Sequence, residues 1–315
     1  MQVVLCGGGS RPVNAGFSGR TMMHALAKLR SARGQADHDY RKVFLKAQRE
    51  IEGMQCIDIP EAKTLVVGCG YLYPDVTLWS AVASHAVGVD VRRTFLRNSF
   101  GALYRDFRRS GNGPLKALMR SSVIRVSWSP YYNYLRRSSG VEIHERSQDL
   151  VVYDGKRLPF ADRTFDIVCS NAVLEHVADP DKMSDELHRV TRPGGVGYHI
   201  WHNYYSLSGG HVPDSLAISS PWGHLLGDPR VEEWLRFTGT YLNEKLPDAI
   251  VESLSRNFVK HRVDQLDANH RSKDADAGYE PEGVEFLTPA LEERLSKYPR
   301  EILLTRAYSF IGMRK

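Results

Sequence analysis

Short apolar runs alternate along this chain with longer stretches whose apolar residues recur every three or four positions. The first run, Leu65-Val-Val67, stops at Gly68-Cys69-Gly70. It is too short for a helix and β-branched, so it predicts a buried parallel strand. Similar runs follow at Ala86 to Asp90, Asp149 to Asp154, Phe165 to Cys169 (closing in polar Ser170 and Asn171), Val196 to Trp201 and Glu301 to Gly312. Helical stripes lie between and around them. Tyr40, Val43, Phe44, Ala47, Ile51 and Met54 form one, and Phe95, Leu96, Phe100, Leu103, Tyr104 and Phe107 another. A third apolar group runs from Leu115 to Val126, and Met183, Leu187 and Val190 mark a helix that Asp179-Pro180 starts and Arg192-Pro-Gly-Gly195 stops.

Shorter helices are expected at Ala172–Val177, Val231–Phe237, Asp248–Phe258 and Leu291–Tyr298. Gly34 is expected to separate two helices, and Gly111-Asn-Gly-Pro114 two more. Residues 1–18, rich in Gly, Ser and Asn, read as surface loop, and residues 264–283, polar and acidic, as a mobile loop. Strands alternating with helices predict an α/β fold, a mostly parallel sheet with helices on both faces.

The turn after the first strand carries the candidate chemistry. Gly68 and Gly70 let the backbone bend tightly and approach a ligand, because neither has a Cβ. Twenty residues beyond Gly70 the second strand ends in the carboxylate of Asp90. A strand, a glycine turn and an acid closing the next strand form the geometry that grips an adenosine ribose.

Composition narrows the class. With 42% hydrophobic and 25% charged residues the chain of 315 is ordinary for a globular protein. No apolar run reaches the ~20 residues that cross a bilayer, and the opening Met1-Gln-Val-Val-Leu-Cys6 lacks a basic leader. Cys6, Cys56, Cys69 and Cys169 form no CxxC pair and no spacing with histidine that requires a metal. Reduced structural thiols and a cytoplasmic setting are the expectation. The net charge of +5 is mild but uneven. From Arg92 to Arg137 eleven Lys or Arg face one acid, Asp106, and Trp128, Tyr131, Tyr132 and Tyr134 interleave with them. Such a segment suits nucleic acid, an acidic or sugar-bearing small substrate, or a solvated helical face.

In order, Asp154 to Phe160 (Asp-x-x-x-Leu-Pro-Phe), Phe165 to Val168 (Phe-Asp-x-Val), Leu174 to Val177 (Leu-Glu-His-Val) and Arg192 to Gly195 (Arg-Pro-Gly-Gly) follow the glycine turn and Asp90. On these motifs the chain resembles the class I S-adenosylmethionine-dependent methyltransferases over residues 64–200. The resemblance implies a Rossmann-like, seven-stranded, mostly parallel sheet with a final antiparallel strand and a helical insertion after the second strand. It implies S-adenosylmethionine as cofactor. Gly68, Cys69 and Gly70 would pass its methionine portion, Asp90 and Val91 its ribose, Asp154 and Gly155 its adenine, with Asn171 near cofactor and substrate. The plain alternative for Asp154 is a turn residue before Gly155. Two departures stand out: Val66 where the family carries an acid, and Leu72 where it carries a third glycine. Tyr71, Tyr73 and Asp75 are the nearby residues able to compensate.

Methyl transfer to a hydroxyl of high pKa is helped by a general base, and histidine is the usual choice. The candidates are His202, just past the Val196–Trp201 strand, His211 in the following Gly-rich loop, and His176 close to Asn171; His199, inside the strand, reads as core. Tyr204 to His211 and Pro221 to Leu225 resemble a subgroup associated with bacterial polysaccharide and sugar modification. The expected organisation is a helical cap over 1–55 and a methyltransferase domain over 56–315, with an insertion at 92–139 and an extension at 203–285 shaping the acceptor site. The resulting expectation is O-methylation of a saccharide or other small-molecule hydroxyl, with no metal ligand set and no membrane insertion. An RNA methyltransferase using the basic insertion and a non-catalytic cofactor-binding scaffold are the alternatives.

Overall fold

The computed structural model describes residues 31–70, 73–91, 100–109, 111–141 and 149–315. The expected loop over 1–18, Tyr71, Leu72, and Arg92, Arg93, Phe95, Leu96 and Arg97 lie outside those residues. The chain divides between Pro159 and Phe160 into two compact units.

In the first unit a helical segment from residue 31 passes through a π-helical turn, Asp39–Phe44, into an α-helix, Leu45–Gly53. Ala32, Ala36, Val43, Phe44, Ala47 and Ile51 are its buried stripe, and the Phe44 ring meets Trp79 edge-on at 5.1 Å. Gly34 does not divide helices here. It sits exposed within the helical run, where burial of Ala32 and Ala36 on either side outweighs the modest propensity cost of one glycine. Strand β1, Lys63–Val67, leads through the glycine turn to a helix, Pro74–Val82, and to β2, His85–Asp90. The parallel register sets Leu65 against Val87 and Val67 against Val89. Gly88 is required at the crossing: a Cβ there would meet Val76 Cγ2 at 2.6 Å and Leu150 Cδ2 at 2.7 Å.

The insertion contains two helices, Phe100–Arg109 and Pro114–Ser139. Asn112 sits in the break between them, its amide donating to Phe107 O (2.9 Å) and its Oδ1 accepting from Arg120 (2.9 Å). Strand β3, Asp149–Val152, then pairs in parallel with β2.

The second unit holds β4, Phe165–Asn171, β5, Thr191–His202, β6, Phe258–Leu266, and β7, Ala307–Arg314. A 3-10 turn, Leu174–His176, and a helix, Pro180–Val190, join β4 to β5. Asp179 caps that helix by accepting the Lys182 N–H (3.1 Å), and Met183, Leu187 and Val190 are buried. β5 starts five residues before Val196 because Thr191 pairs with Phe165 across an irregularity in the β4–β5 ladder. Across the sheet the strand order is β3-β2-β1-β4-β5-β7-β6, with β7 antiparallel to β5 and to β6. This is the expected seven-stranded, mostly parallel α/β arrangement.

Four expectations need correction. The strand expected over Glu301–Gly312 is shorter: Arg300–Leu304 is a helical turn, and β7 begins at Ala307. The sequence reading gave no strand at β6, because this edge strand exposes Val259, Lys260 and His261 and so hides its alternation. The loop expected to be mobile from 264 is tied down instead. Buried Asp267 accepts the N–H groups of Asn269 (2.7 Å), Arg271 (2.9 Å) and Glu280 (3.2 Å), and Asp264, His270 and Ser272 are buried as well. The helix expected over Leu291–Tyr298 is a short one, Pro289–Arg294. Among the described residues no disulfide joins Cys56, Cys69 or Cys169, and no helix is long and apolar enough to cross a membrane.

Candidate active site

Gly68 (φ 67°) and Gly70 (φ 66°) both occupy the left-handed region, where a side chain is strained. The N–H groups of Gly68 and Cys69 donate to Val89 O at 2.8 and 3.2 Å, which locks the turn to the end of β2. The next N–H, of Gly70, donates to Asp90 Oδ2 at 3.0 Å. The turn and the acid are therefore one unit. Among the described residues, a Cβ at Gly70 would meet nothing within 4 Å, so toward them the turn has an open face. Cys69 is buried beside Gly88, and burial pushes its thiol up; only its backbone faces the turn. Val91 follows Asp90, partly exposed. These features suit the ribose and methionine portions of S-adenosylmethionine: an acceptor-only carboxylate for paired hydroxyls, and bare backbone beside it.

Asp154 is exposed, and its Oδ1 accepts the N–H groups of Lys156 (2.8 Å) and Arg157 (3.1 Å) around Gly155 at φ 79°. Those donors hold its carboxyl below the usual carboxylate range. The geometry is that of the turn residue. Asn171, partly buried, ends β4, and Ala172 beyond it takes a left-handed φ of 54°.

Of the compensating residues, Tyr73 is buried with φ 34° and Asp75 opens the following helix. The sequence reading missed their companions, Asp39 and Tyr131. The Tyr131 hydroxyl donates to Asp39 Oδ2 (2.5 Å), and Gln35 donates to Asp39 Oδ1 (2.7 Å). Burial raises Asp39 to about 6, and burial together with the Asp39 charge raises Asp75 to about 7, though part of Asp75 remains exposed. Two acids held short of full charge suit a cationic ligand group. Tyr131 and Tyr132 are core residues, not a stacking surface, whereas Arg105, Arg108, Arg109, Arg125, Arg136 and Arg137 are exposed.

In the second unit the three candidate histidines come together at the carboxyl ends of β4 and β5. His202 Nδ1 lies 3.3 Å from His211 Nε2, and the His211 ring packs edge-on against His176 at 5.0 Å. Glu175, which the sequence reading passed over within Leu-Glu-His-Val, completes the group. Its Oε1 is 3.5 Å from His202 Nδ1 and 4.0 Å from His176 Nε2. The signal for it was a polar pair, Glu175-His176, inside an otherwise apolar turn. Burial raises Glu175 to about 8, depresses His211 to about 3 and holds His202 well below its ordinary range, although 26% of the His202 side chain is exposed. His199 is fully buried and bonded to Ser170 at 2.9 Å.

The aromatic residues expected near a sugar divide. Trp222 is fully buried with Leu207, Leu287, Leu295 and Leu303, and Tyr205 is buried beside it, whereas Tyr204 is only partly buried.

With this geometry in view, residues 110–198 match a family model described as a methyltransferase domain. The match begins beyond Asp90, so the glycine turn stands on its own geometry. A methyltransferase of Mycolicibacterium vanbaalenii is 45% identical over 93 residues, 29% of this chain and 32% of that protein. One from Mycobacterium leprae is 39% identical over 67 residues, 20% of this chain and 25% of that protein. The matched segment thus spans about a third of these relatives' length or less. Among solved structures, a Mesorhizobium loti S-adenosylmethionine-dependent methyltransferase is 14% identical, with 83% of this chain and 95% of that one covered and a TM-score of 0.45. A geranyl diphosphate methyltransferase bound to S-adenosylmethionine is 12% identical, with 88% and 87% covered and a TM-score of 0.45. Residues 110–198 are thus similar to a methyltransferase domain, and they lie within a chain whose sheet has the order β3-β2-β1-β4-β5-β7-β6.

Proposed function

We propose that this protein transfers a methyl group from S-adenosylmethionine to a hydroxyl of a saccharide or glycosylated small molecule. The observation that carries the cofactor half is the Gly70 N–H held on the Asp90 carboxylate at a turn with an open face. When bound, the cofactor supplies a methyl on a positively charged sulfur, and the protein's task is to hold an acceptor oxygen in line with it. Asp90 accepts from the ribose hydroxyls. Asp75 and Asp39, kept short of full charge by burial, stand in for the acid absent at Val66 and favour the cofactor's ammonium group.

Within the second unit, the group formed by Glu175, His176, His202 and His211 is the one suited to take up a proton from a hydroxyl. Burial keeps His202 and His211 neutral, each with a lone pair on one ring nitrogen. An imidazole held as low as His211 is a weak base alone, so the group acts together. Half-buried Tyr204 and the neighbouring Ser208 hydroxyl supply the apolar and hydrogen-bonding surfaces that a sugar needs. The exposed arginines of the insertion favour RNA as the second reading.

The deciding experiment incubates the chain with methyl-labelled cofactor and a panel of glycans, glycosylated phenols and RNA. Label in a glycan or glycoside hydroxyl is the expected result. Label in RNA alone, with a rate that falls steeply with salt, would replace the reading with the second one. Cofactor binding without transfer to any class would reduce the protein to a scaffold.

A further inference from the structure

The group around Glu175 has a property that proton transfer does not explain. Glu175 is 2% exposed, and neither carboxylate oxygen closes a hydrogen bond of acceptable geometry. The backbone N–H groups of Glu175 and His202 face it and offset only part of its desolvation. Burying a carboxylic group in this way is costly unless it finds a partner. It is retained, and two imidazole nitrogens are aimed at it.

We propose that Glu175, His202 and His211 form a binding site for one divalent transition-metal ion, of the zinc type. One ligand atom from each lies within 4.8 Å of the others. The two closest separations, 3.3 Å from His202 Nδ1 to His211 Nε2 and 3.5 Å from His202 Nδ1 to Glu175 Oε1, are near the edge of a tetrahedron. Ligands ~2.0–2.1 Å from zinc stand about 3.3–3.4 Å apart in that geometry. Octahedral neighbours at the same bond length would be closer, roughly 3.0 Å. Two imidazoles and one carboxylate leave a fourth position open, the pattern of zinc sites that act on a bound oxygen.

The surroundings hold these ligands in place. The Asn243 amide donates to Leu174 O (2.6 Å) and Val177 O (2.9 Å), and its N–H donates to Glu175 O (2.9 Å), clamping the turn that carries the carboxylate. His176 Nδ1 lies 2.7 Å from Tyr241 O, and since a carbonyl only accepts, this nitrogen carries the proton. The ring so fixed walls the site against His211. His211 itself has a left-handed φ of 50°, a strained conformation for a side-chain-bearing residue, which its N–H to Ser208 O (3.0 Å) and its carbonyl bond from Trp234 Nε1 (3.3 Å) maintain. Metal ligands are oriented by partners of this kind. The ion replaces the His202–His211 hydrogen bond with shared coordination and gives the Glu175 oxygens a partner. Within the methyl-transfer reading, on which this last role rests, an acceptor hydroxyl in the open position would be acidified by the ion and would pass its proton to solvent water, because the ligand lone pairs would then be held by the ion.

The test uses the full chain, stripped with a chelator and titrated with Zn2+ by calorimetry and with Co2+ by visible absorption. Binding of one ion per chain and the intense absorption of tetrahedral Co2+ are expected. Glu175→Gln keeps the side-chain volume and should weaken Zn2+ at least ~10-fold, as should His211→Gln. Circular dichroism checks that each variant is folded. Mg2+ should not compete, because nitrogen donors do not suit it. No binding by the wild-type chain, equal affinity in both folded variants, or Mg2+ binding as tight as Zn2+ would overturn the site. If a variant does not fold, the wild-type titration and the metal content of the purified chain decide alone. Metal binding with no methyl transfer to any acceptor would fault the proposed reaction and leave the site standing.

Discussion

The glycine turn and the histidine group make a useful contrast, because each sets an acid, part-buried Asp90 in one and buried Glu175 in the other, beside backbone that the sequence bends sharply. At the turn, three successive N–H groups find acceptors before any ligand arrives, two in the Val89 carbonyl and one in the Asp90 carboxylate. At the histidine group the carboxylate of Glu175 has no such closure, and three rings converge on it from a 3-10 turn, a strand end and a loop. The first arrangement is stable empty and offers a shape. The second is unsatisfied empty and calls for a ligand. A site built from backbone is preorganised by chain stereochemistry, whereas one built from distant side chains depends on the elements that carry them.

The largest expected effect breaks the contrast on the cofactor side. Asp90→Ala removes the Gly70 N–H partner and both ribose acceptors. At about 1.5–3 kcal/mol for each hydrogen bond to a charged group, cofactor affinity should fall at least ~100-fold. Calorimetry with S-adenosylmethionine measures this, and Zn2+ affinity at the other site should not move. Unchanged cofactor affinity would remove Asp90 from the ribose.

How much of this was legible follows from the same contrast. Leu65-Val-Val67, the two glycines and Asp90 are neighbours in sequence or one strand apart, so local stereochemistry announces them. Histidines 176, 202 and 211 were legible as candidates because each sits at a strand end or just past one. That Glu175 joins them was not, since its neighbours Leu174 and Val177 make it read as part of a short apolar helix. Asp39 and Tyr131 are 92 positions apart, and no period relates a carboxylate on one helix to a hydroxyl on another. β6 was hidden because an edge strand carries Lys260, His261 and Arg262 outward. The helical turn at Arg300–Leu304 was hidden because Ile302-Leu-Leu304 is apolar enough to continue a strand, and only Pro299 before it hints otherwise.

The second effect compares two buried acids. Asp39, unlike Glu175, is satisfied, by Tyr131 and Gln35, yet burial still raises it to about 6. Between about pH 4 and 6 the folded chain therefore holds a proton that the unfolded chain has lost, so this group's contribution falls as pH rises through that window. A shift of that size corresponds to about 2–3 kcal/mol. Asp39→Asn should thus gain on the wild-type chain by up to that amount from about pH 4 to pH 7, read by urea unfolding at both ends. Equal pH profiles would mean that Asp39 stays solvated. If Asp39 also serves the cofactor, the same variant gains stability while losing affinity, the exchange expected where an acid is kept for function.

The smallest effect tests whether local propensity rules where neither site intrudes. Gly34 lies exposed inside the leading helix, and among the described residues a Cβ there would meet nothing within 4 Å. Its φ is not positive, so alanine meets no strain, and the substitution acts mainly by restricting the unfolded chain. Gly34→Ala should therefore stabilise the first unit by about 0.5–1 kcal/mol, with cofactor and Zn2+ affinities unchanged. A loss of stability would show that the glycine is wanted where the sequence first placed it, as a break between helices. In that event the π-helical turn at Asp39–Phe44, only five residues on, would be the place to look for the hinge.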